Sequence, residues 1–425
     1  MLDTFKTAWK LADLRHKIMF TLIMFLVFRI GAHVPVPGIN HEVIGELLKN
    51  QLFGFFDVIS GGAFKRFTVF AMSITPYINA SIIMQLLTVV IPKLERLAKE
   101  GEEGRKKIVQ YTRYGTVVLG FIQAIGMSVA LGRYQVGGTT AIANPGIVNY
   151  MAIAITLTAG TAFLMWIGEM ITEKGIGNGI SLIIFAGIVA RVPAGIVSIF
   201  EYLKAGTVNI FNVLLLIIIA LLVIAGVVAM NEGQRRISVQ YAKRVVGRRV
   251  YGGQSTHLPL KVNQAGVIPV IFAMSIMMFP ATIASWLSSG SISAFINNYF
   301  HFGTIPYNIL YALLIIFFTY FYTAVTFNPV DVAENLKKYG GFIPGIRPGR
   351  PTAEYIERVL TRVTLAGAIF LALIAILPNF VIAVTKITSI WFGGTALLIV
   401  VGVALETMKQ IESHLLLRSY QGFMK

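Results

Sequence analysis

The chain has 425 residues, of which 56% are hydrophobic and only 13% charged, with a net charge of +17. A soluble globular domain needs far more charged surface than that. The absence of cysteine excludes disulfides and thiolate metal sites, and the six histidines show no HxxxH or HExxH spacing, so no metal site is expected.

Repeated apolar runs of about 20 residues indicate a polytopic helical membrane protein. Met1-Leu2-Asp3 opens no signal peptide, because no cleavage motif follows and the first apolar run is long enough to span. Ten spans are predicted in chain order: 18–34, 68–91, 115–132, 151–171, 180–199, 210–230, 265–287, 306–327, 363–384 and 391–409. Cations concentrate before span one (Lys6, Lys10, Arg15, Lys17) and after span two (Lys93, Arg96, Lys99, Arg105, Lys106, Lys107, Arg113). They do so again after span six (Arg235, Arg236, Lys243, Arg244, Arg248, Arg249, Lys261) and after span eight (Lys337, Lys338, Arg347, Arg350, Arg358, Arg362). The gaps after spans three, five, seven and nine hold only Arg133, Lys204 and Lys386. The positive-inside rule then predicts both termini in the cytoplasm.

The stretch QLFGFFDVISGGAFKRFTVF (Gln51–Phe70) falls on the outer side. It is apolar, broken by Ser60-Gly61-Gly62, and cannot cross a bilayer by itself. As a re-entrant loop it would cap the bundle.

Spans two and seven share a pattern of apolar-x-Pro-x-Ile-x-Ala, in ITPYINASI (Ile74–Ile82) and VIPVIFAMSI (Val267–Ile276). Pro76 matches Pro269, Ile78 matches Ile271 and Ala80 matches Ala273. Spans five and ten open with NGISLII (Asn178–Ile184) and GGTALLI (Gly393–Ile399). Both pairs lie five spans apart, an odd offset that inverts the second half on the first. Inverted repeats with a working site at their interface characterise transporters and channels.

Charge inside the spans is nearly absent. Arg29, Glu169 and Glu406 lie near span ends, and no Asp, Glu, His or Lys is expected at mid-depth. A secondary transporter of a small solute, the alternative reading, normally needs such groups. A third class is a purely structural membrane scaffold, such as a receptor for cytoplasmic partners, which the partners it holds would distinguish. Asn79, Gln85, Gln123 and Thr156 are expected to hydrogen-bond between helices. There is no GxxxxGK[ST] and no catalytic constellation, so the chain is not expected to be an enzyme or to hold a cofactor. Any energy must come from another protein. The basic loop Asn231–Asn263 mixes cations with β-branched and aromatic residues and is expected to project as a hairpin. Such loops fix topology and touch anionic lipid, but this length suits an acidic partner, protein or RNA.

The motifs together resemble the SecY family, the central subunits of the bacterial protein-conducting channel. The resemblance rests on FAMSITPYINASIIMQLL (Phe70–Leu87), WIGEMITEKGIGNGISLIIF (Trp166–Phe185), the basic loop leading into VIPVIF, and GGFIPGIRPGRPTAEYI (Gly340–Ile356). It implies an all-α fold of ten transmembrane helices in two inverted five-helix halves around an hourglass pore. The halves would be residues 1–200 and 210–425, hinged at 201–209, with cytoplasmic loops at 231–263 and 328–362. By motif position the waist would be Ile74, Ile78, Ile180, Ile184, Ile271 and Ile399. The clamshell would open sideways between spans two and seven, at a gate that includes Gln85, Gln123, Pro76 and Pro269. Residues 52–64 would plug the closed pore, with Phe53, Phe55, Phe56, Val58, Ile59 and Phe64 against the waist and Gly61-Gly62 as the joint. Arg347, Arg248, Arg249, Arg235, Arg236 and Arg244 would face the SecA ATPase and the translating ribosome. The resemblance further implies SecE and SecG subunits, signal sequences and nascent chains as partners, lipid contact, no DNA, and a bacterial cytoplasmic membrane location.

Overall fold

The structure, a computed structural model, describes residues 9–40, 43–44, 60–133, 135–136, 139–142, 144–241, 244–246, 249–251, 255–286, 299, 304–385 and 394–423. The long helices are α1 (Ala12–Gly31), α2 (Thr75–Val90), α4 (Glu102–Arg133), α5 (Ile147–Lys174), α6 (Gly179–Lys204) and α7 (Ile210–Glu232). They continue with α8 (Ile268–Trp286), α9 (Ile305–Thr326), α11 (Arg350–Thr385) and α12 (Gly394–Phe423). Shorter helices α3 (Pro92–Lys99) and α10 (Pro329–Lys338) lie between them. Each predicted span thus contains a helix. Among the described residues α4, α5, α6, α7, α9 and α11 are long and apolar enough to cross a bilayer. Helices α2 and α3, bent 100° apart, supply a seventh crossing if they count as one span.

Several boundaries differ from the apolar pattern, each for a local reason. Span two was expected from residue 68, but α2 begins at Thr75 with Pro76 in its first turn. Proline suits that position and disfavours helix in the residue before it. Residues 60–74 form successive turns instead, with Phe67 (φ 43) and Ser73 (φ 52) in the left-handed region. Pro92 similarly ends α2 and opens α3 after the extended Ile91. Helices α4 and α11 begin well before their apolar parts, at Glu102 and Arg350, because charged helix continues past the membrane core.

Strands occupy three connecting regions. β1 (Gln135–Val136) pairs with β2 (Thr139–Thr140). β3 (Gln234–Tyr241) pairs antiparallel with β6 (Ser255–Lys261), from Gln234↔Lys261 to Gln240↔Ser255, which is the expected hairpin. It continues through β4 (Arg244–Val246) and β5 (Arg249–Tyr251). Unexpectedly, β7 (Gly341–Phe342) from the other long loop adds to β3 at Gln240↔Phe342. Ile237, Val239, Leu260, Ile343 and Ile356 form a core beneath this sheet, so the two loops fold as one module.

Packing among the long helices is dense within two groups. Helices α2, α4, α5 and α6 pack in sequence, as do α8, α9, α11, α12 and α7. The groups meet where α2 and α4 touch α8 and where α6 touches α12.

Candidate functional site

The repeated motifs begin their helices alike. Pro76 is the second residue of α2 and Pro269 the second of α8, and both are buried. Gly179 opens α6, and its counterpart Gly394 opens α12. At α6 the start is fixed by Asn178, whose Oδ1 accepts from the Ile180 and Ser181 N–H groups (3.1 and 3.2 Å). A Cβ on Gly179 would overlap the Gly168 carbonyl, and one on Gly168 would meet Ile180 Cδ1 at 2.5 Å. Two glycines therefore let α5 and α6 cross closely, and that crossing fixes where Ile180 stands.

Ile74 caps α2, Ile78 follows one turn later, and Ile180 and Ile184 share a face of α6. Ile271 comes from α8 and Ile399 from α12. Ile74, Ile78, Ile184 and Ile399 are buried, Ile180 and Ile271 half-buried, and all six fall in one apolar cluster. The four helices that carry them meet as the pairs α2–α8 and α6–α12. Pro76 stands near Gly120 of α4, where an added Cβ would lie 3.6 Å from its ring, Pro269 is buried on α8, and Gln85 and Gln123 are half-buried on α2 and α4.

The polar residues behave differently from the expectation of helix-to-helix bonds. Gln85 Nε2 donates to Ser81 Oγ (3.4 Å) and Thr156 Oγ1 to the Ala152 carbonyl (2.8 Å), each within its own helix. Neither side chain needs a neighbouring helix when one turn of its own supplies a partner. Asn79 is buried and its Oδ1 has no partner among the described residues. Bonds between helices come from other residues, of which only Arg113 and Glu169 were noted in the sequence, and there only as charges. Asn379 Nδ2 donates to Asn308 Oδ1 (2.6 Å), Asn212 Nδ2 to the Thr385 carbonyl (3.2 Å), and Arg113 Nε to Glu169 Oε1 (2.8 Å).

Of the expected plug, Phe53, Phe55, Phe56, Val58 and Ile59 lie outside the described residues. Gly61 (φ 66) and Gly62 (φ 90) form a left-handed pair, open to glycine at little cost. The Gly61 carbonyl accepts from Arg29 Nη1 at 2.7 Å. Phe64 packs against Phe67 (ring centroids 6.2 Å apart) in a cluster with Val36, Ile44, Ile142 and Leu157. That cluster is separate from the one holding the six isoleucines. The reason is backbone pairing: Val36 N–H donates to the Phe67 carbonyl (3.0 Å) and Val69 N–H to that of Val34 (3.0 Å), tying this end to the loop after α1.

The basic module presents its cations outward. Ile237 and Val239 alternate inward on β3 while Arg235 and Arg236 are exposed. Arg244 and Arg249 lie in β4 and β5, and Arg248 lies outside the described residues. Arg347 is exposed at a turn flanked by Gly345 (φ 80) and Gly349 (φ 99). The turn is held from both sides: Ile346 N–H donates to the Ile343 carbonyl (3.0 Å) and Thr352 Oγ1 to that of Arg347 (2.9 Å). On α3, the Lys99–Glu95 hydrogen bond (2.7 Å) holds the carboxyl below and the ammonium above their ordinary values. This pair is exposed and adds little stability.

The SecY family profile matches residues 68–408. The protein translocase subunit SecY of Halalkalibacterium halodurans is 54% identical over 434 residues, covering 100% of each chain. Among solved structures, a protein-conducting channel superposes with a TM-score of 0.64 at 19% identity, covering 94% of this chain and 92% of the other. Sec61 in the canine ribosome-channel complex gives 0.61 at 18%, with coverage of 94% and 92%. With the fold shared by those solved structures, the profile match and the 54% identical full-length relative lead to one assignment: the chain belongs to the SecY family of protein translocase subunits.

Proposed function

We propose that this chain forms the channel through which unfolded secretory polypeptides cross the bacterial cytoplasmic membrane, with ten spans and both termini in the cytoplasm. The observation that carries the reading is the meeting of six isoleucines from four helices in one apolar cluster, where α2 reaches α8 and α6 reaches α12. A translocating chain presents every kind of side chain, and a polar collar would bind some segments too well. An apolar collar grips none specifically and resists ions by dewetting when narrow.

The α2–α8 seam is the proposed lateral gate. Once it parts, a segment in the pore partitions by transfer energy, about −0.5 kcal/mol per central Leu against about +3 for Arg or Asp. Residues 52–64 are the proposed plug, and Gly61-Gly62 its joint. SecE and SecG complete the channel in this reading. SecA or a ribosome docks on the basic module and supplies the energy. The exposed Arg347 on a doubly anchored turn supports that role, and a canine relative of this fold is known in a ribosome-channel complex.

Reconstitution tests the proposal. Proteoliposomes containing this chain with SecE and SecG should take up a secretory preprotein when SecA and ATP are present. Arg347→Glu should abolish most of that uptake while leaving the purified complex intact by size-exclusion and thermal unfolding. Equal uptake by liposomes lacking the chain would sink the channel reading. Normal uptake by the Arg347 variant would reduce that turn to a solvated loop.

A further inference from the structure

The turn between α5 and α6 is bonded to its own group of helices and only packed against the other. Gly175 N–H donates to the Ile171 carbonyl (2.8 Å) and Gly179 N–H to Thr172 Oγ1 (2.9 Å), both on α5. Between them Ile176 N–H donates to Thr21 Oγ1 of α1 (3.2 Å), and α1 itself packs on α5 and α6. A Cβ on Gly175 would stand 2.5 Å from that Thr21 oxygen, so the turn is pressed onto α1. On its other side the turn meets α12, the last helix of the second group. Gly177 (φ 86) has no room for a side chain there: a Cβ would lie 3.2 Å from Thr407 Oγ1 of α12 and 2.9 Å from Leu182 Cδ1. Thr407 Oγ1 donates to the Val403 carbonyl of its own helix (2.7 Å). Among the described residues no hydrogen bond joins the turn to α12. The link is apolar instead. Ile176 is buried in one cluster with Leu14 and Ile18 of α1 and with Met408 and Ile411 of α12. Leu14, Ile18 and Thr21 share one face of α1, and Met408, Ile411 and Leu415 one face of α12. Apolar packing on one side and hydrogen bonds on the other are what a swivel requires, because turning then leaves no buried polar group unsatisfied. Just beyond the turn, Asn178 caps α6, which carries Ile180 and Ile184. Whatever fixes the turn therefore fixes those two side chains.

We propose that Ile176 is a positioning residue of the channel: seated between α1 and α12, it is the point about which the two groups of helices turn, so that Ile180 and Ile184 keep their place while the α2–α8 seam parts. The inference rests on the reading of the six isoleucines as the waist. A pivot is present in the closed and the open channel alike, so losing it should not favour either state. It should leave α6 unseated in both.

The test uses the full chain with SecE and SecG, in planar bilayers and proteoliposomes. Ile176→Ala should raise resting ion conductance several-fold, and Ile176→Val should stay near wild type. Ile315→Ala, the same truncation inside one group of helices, should lower the unfolding temperature with little leak. Ile180→Gly is the reference for the waist itself. Ile176→Cys with Ile411→Cys, in a chain that has no native cysteine, should crosslink at rest. Uptake driven by SecA and ATP should then continue at close to the wild-type rate, because a pivot does not separate. A crosslink that stops uptake until it is reduced shows that the seam opens at this point, and overturns the proposal. A pair that neither oxidant nor a short bismaleimide can join overturns it as well. Equal leaks from Ile176→Ala and Ile315→Ala show general loosening and also count against it. If Ile176→Ala does not accumulate, the crosslinked pair decides. A leak from Ile180→Gly with none from Ile176→Ala removes the role of Ile176 and leaves the waist standing. Ile180→Gly without effect removes the waist reading, and the inference with it.

Discussion

Ser73 stands immediately before Ile74 in a backbone conformation that suits glycine. Its φ is 52, it is 2% exposed, and its Oγ has no partner among the described residues. The left-handed conformation costs an L-residue roughly 1–2 kcal/mol, and an unsatisfied buried hydroxyl adds about 1 more. Glycine removes both costs and gives back about 0.5–1 kcal/mol in unfolded-state entropy. Ser73→Gly should therefore raise the unfolding temperature of the detergent-solubilised complex by a few degrees, and Ser73→Val should lower it. A lower unfolding temperature for the glycine variant would show that the serine makes a bond this arrangement lacks. The α5–α6 crossing carries the opposite sign. Gly179→Ala drives a methyl into the Gly168 carbonyl, with no flexible side chain to yield, and should destabilise by several kcal/mol, as backbone overlap in a packed core does.

Among the elements, the joining of the two long loops by β7 has a direct consequence. Gln240 and Phe342 are register partners on β3 and β7, and paired antiparallel residues have Cβ atoms close enough for a disulfide. Gln240→Cys with Phe342→Cys should crosslink on mild oxidation in a chain that has no native cysteine. Failure to crosslink in the resting complex would mean that the loops move independently. The sequence made the hairpin legible through its β-branched and aromatic residues, but β7 has two residues and no period to detect. The same limit explains α11. Apolarity marks residues 363–384, while the turns from Arg350 are helical because Ala353, Ile356 and Leu360 are buried at the three-to-four spacing of one helix face, with Ile356 in the module's core. Residues 60–74 failed in the other direction. Their apolar composition looks like membrane helix, yet Ser60, Gly61, Gly62 and Pro76 break it, and the buried backbone is satisfied by neighbouring loops instead. The shared cluster of the six isoleucines was more legible, because Pro76/Pro269 and Gly179/Gly394 are helix-starting residues whose positions the repeat preserves. The partners of Asn308, Asn212 and Arg113 depend on helix neighbours that one sequence does not specify.

At the scale of the whole molecule, the contacts divide into two groups of helices joined by the α2–α8, α4–α8 and α6–α12 seams. In the proposed clamshell these seams have to part and close repeatedly, so they cannot be as adhesive as the interiors of the halves. Their filling fits that need: isoleucines at the waist, with the interhelix bonds Asn308–Asn379 and Arg113–Glu169 kept inside single groups. Apolar contacts re-form in any register, whereas broken buried hydrogen bonds leave unsatisfied groups in a low dielectric. The collar should then seal by volume, and narrowing it to fewer side chains should have a graded effect. Ile78→Gly with Ile271→Gly removes bulk from α2 and α8, opposite sides of the gate seam, while α6 and α12 keep Ile180, Ile184 and Ile399. Resting conductance should rise well above wild type, and signal sequences of lower hydrophobicity should be accepted, because less closed-state contact has to be given up. The control is a loss of two apolar side chains away from the seam, Ile315→Gly on α9 with Leu371→Gly on α11, both buried in the same apolar cluster. It should lower the unfolding temperature with little change in conductance. If both losses leak equally, general loosening of the bundle explains the conductance, and the isoleucine ring has no special part in the seal.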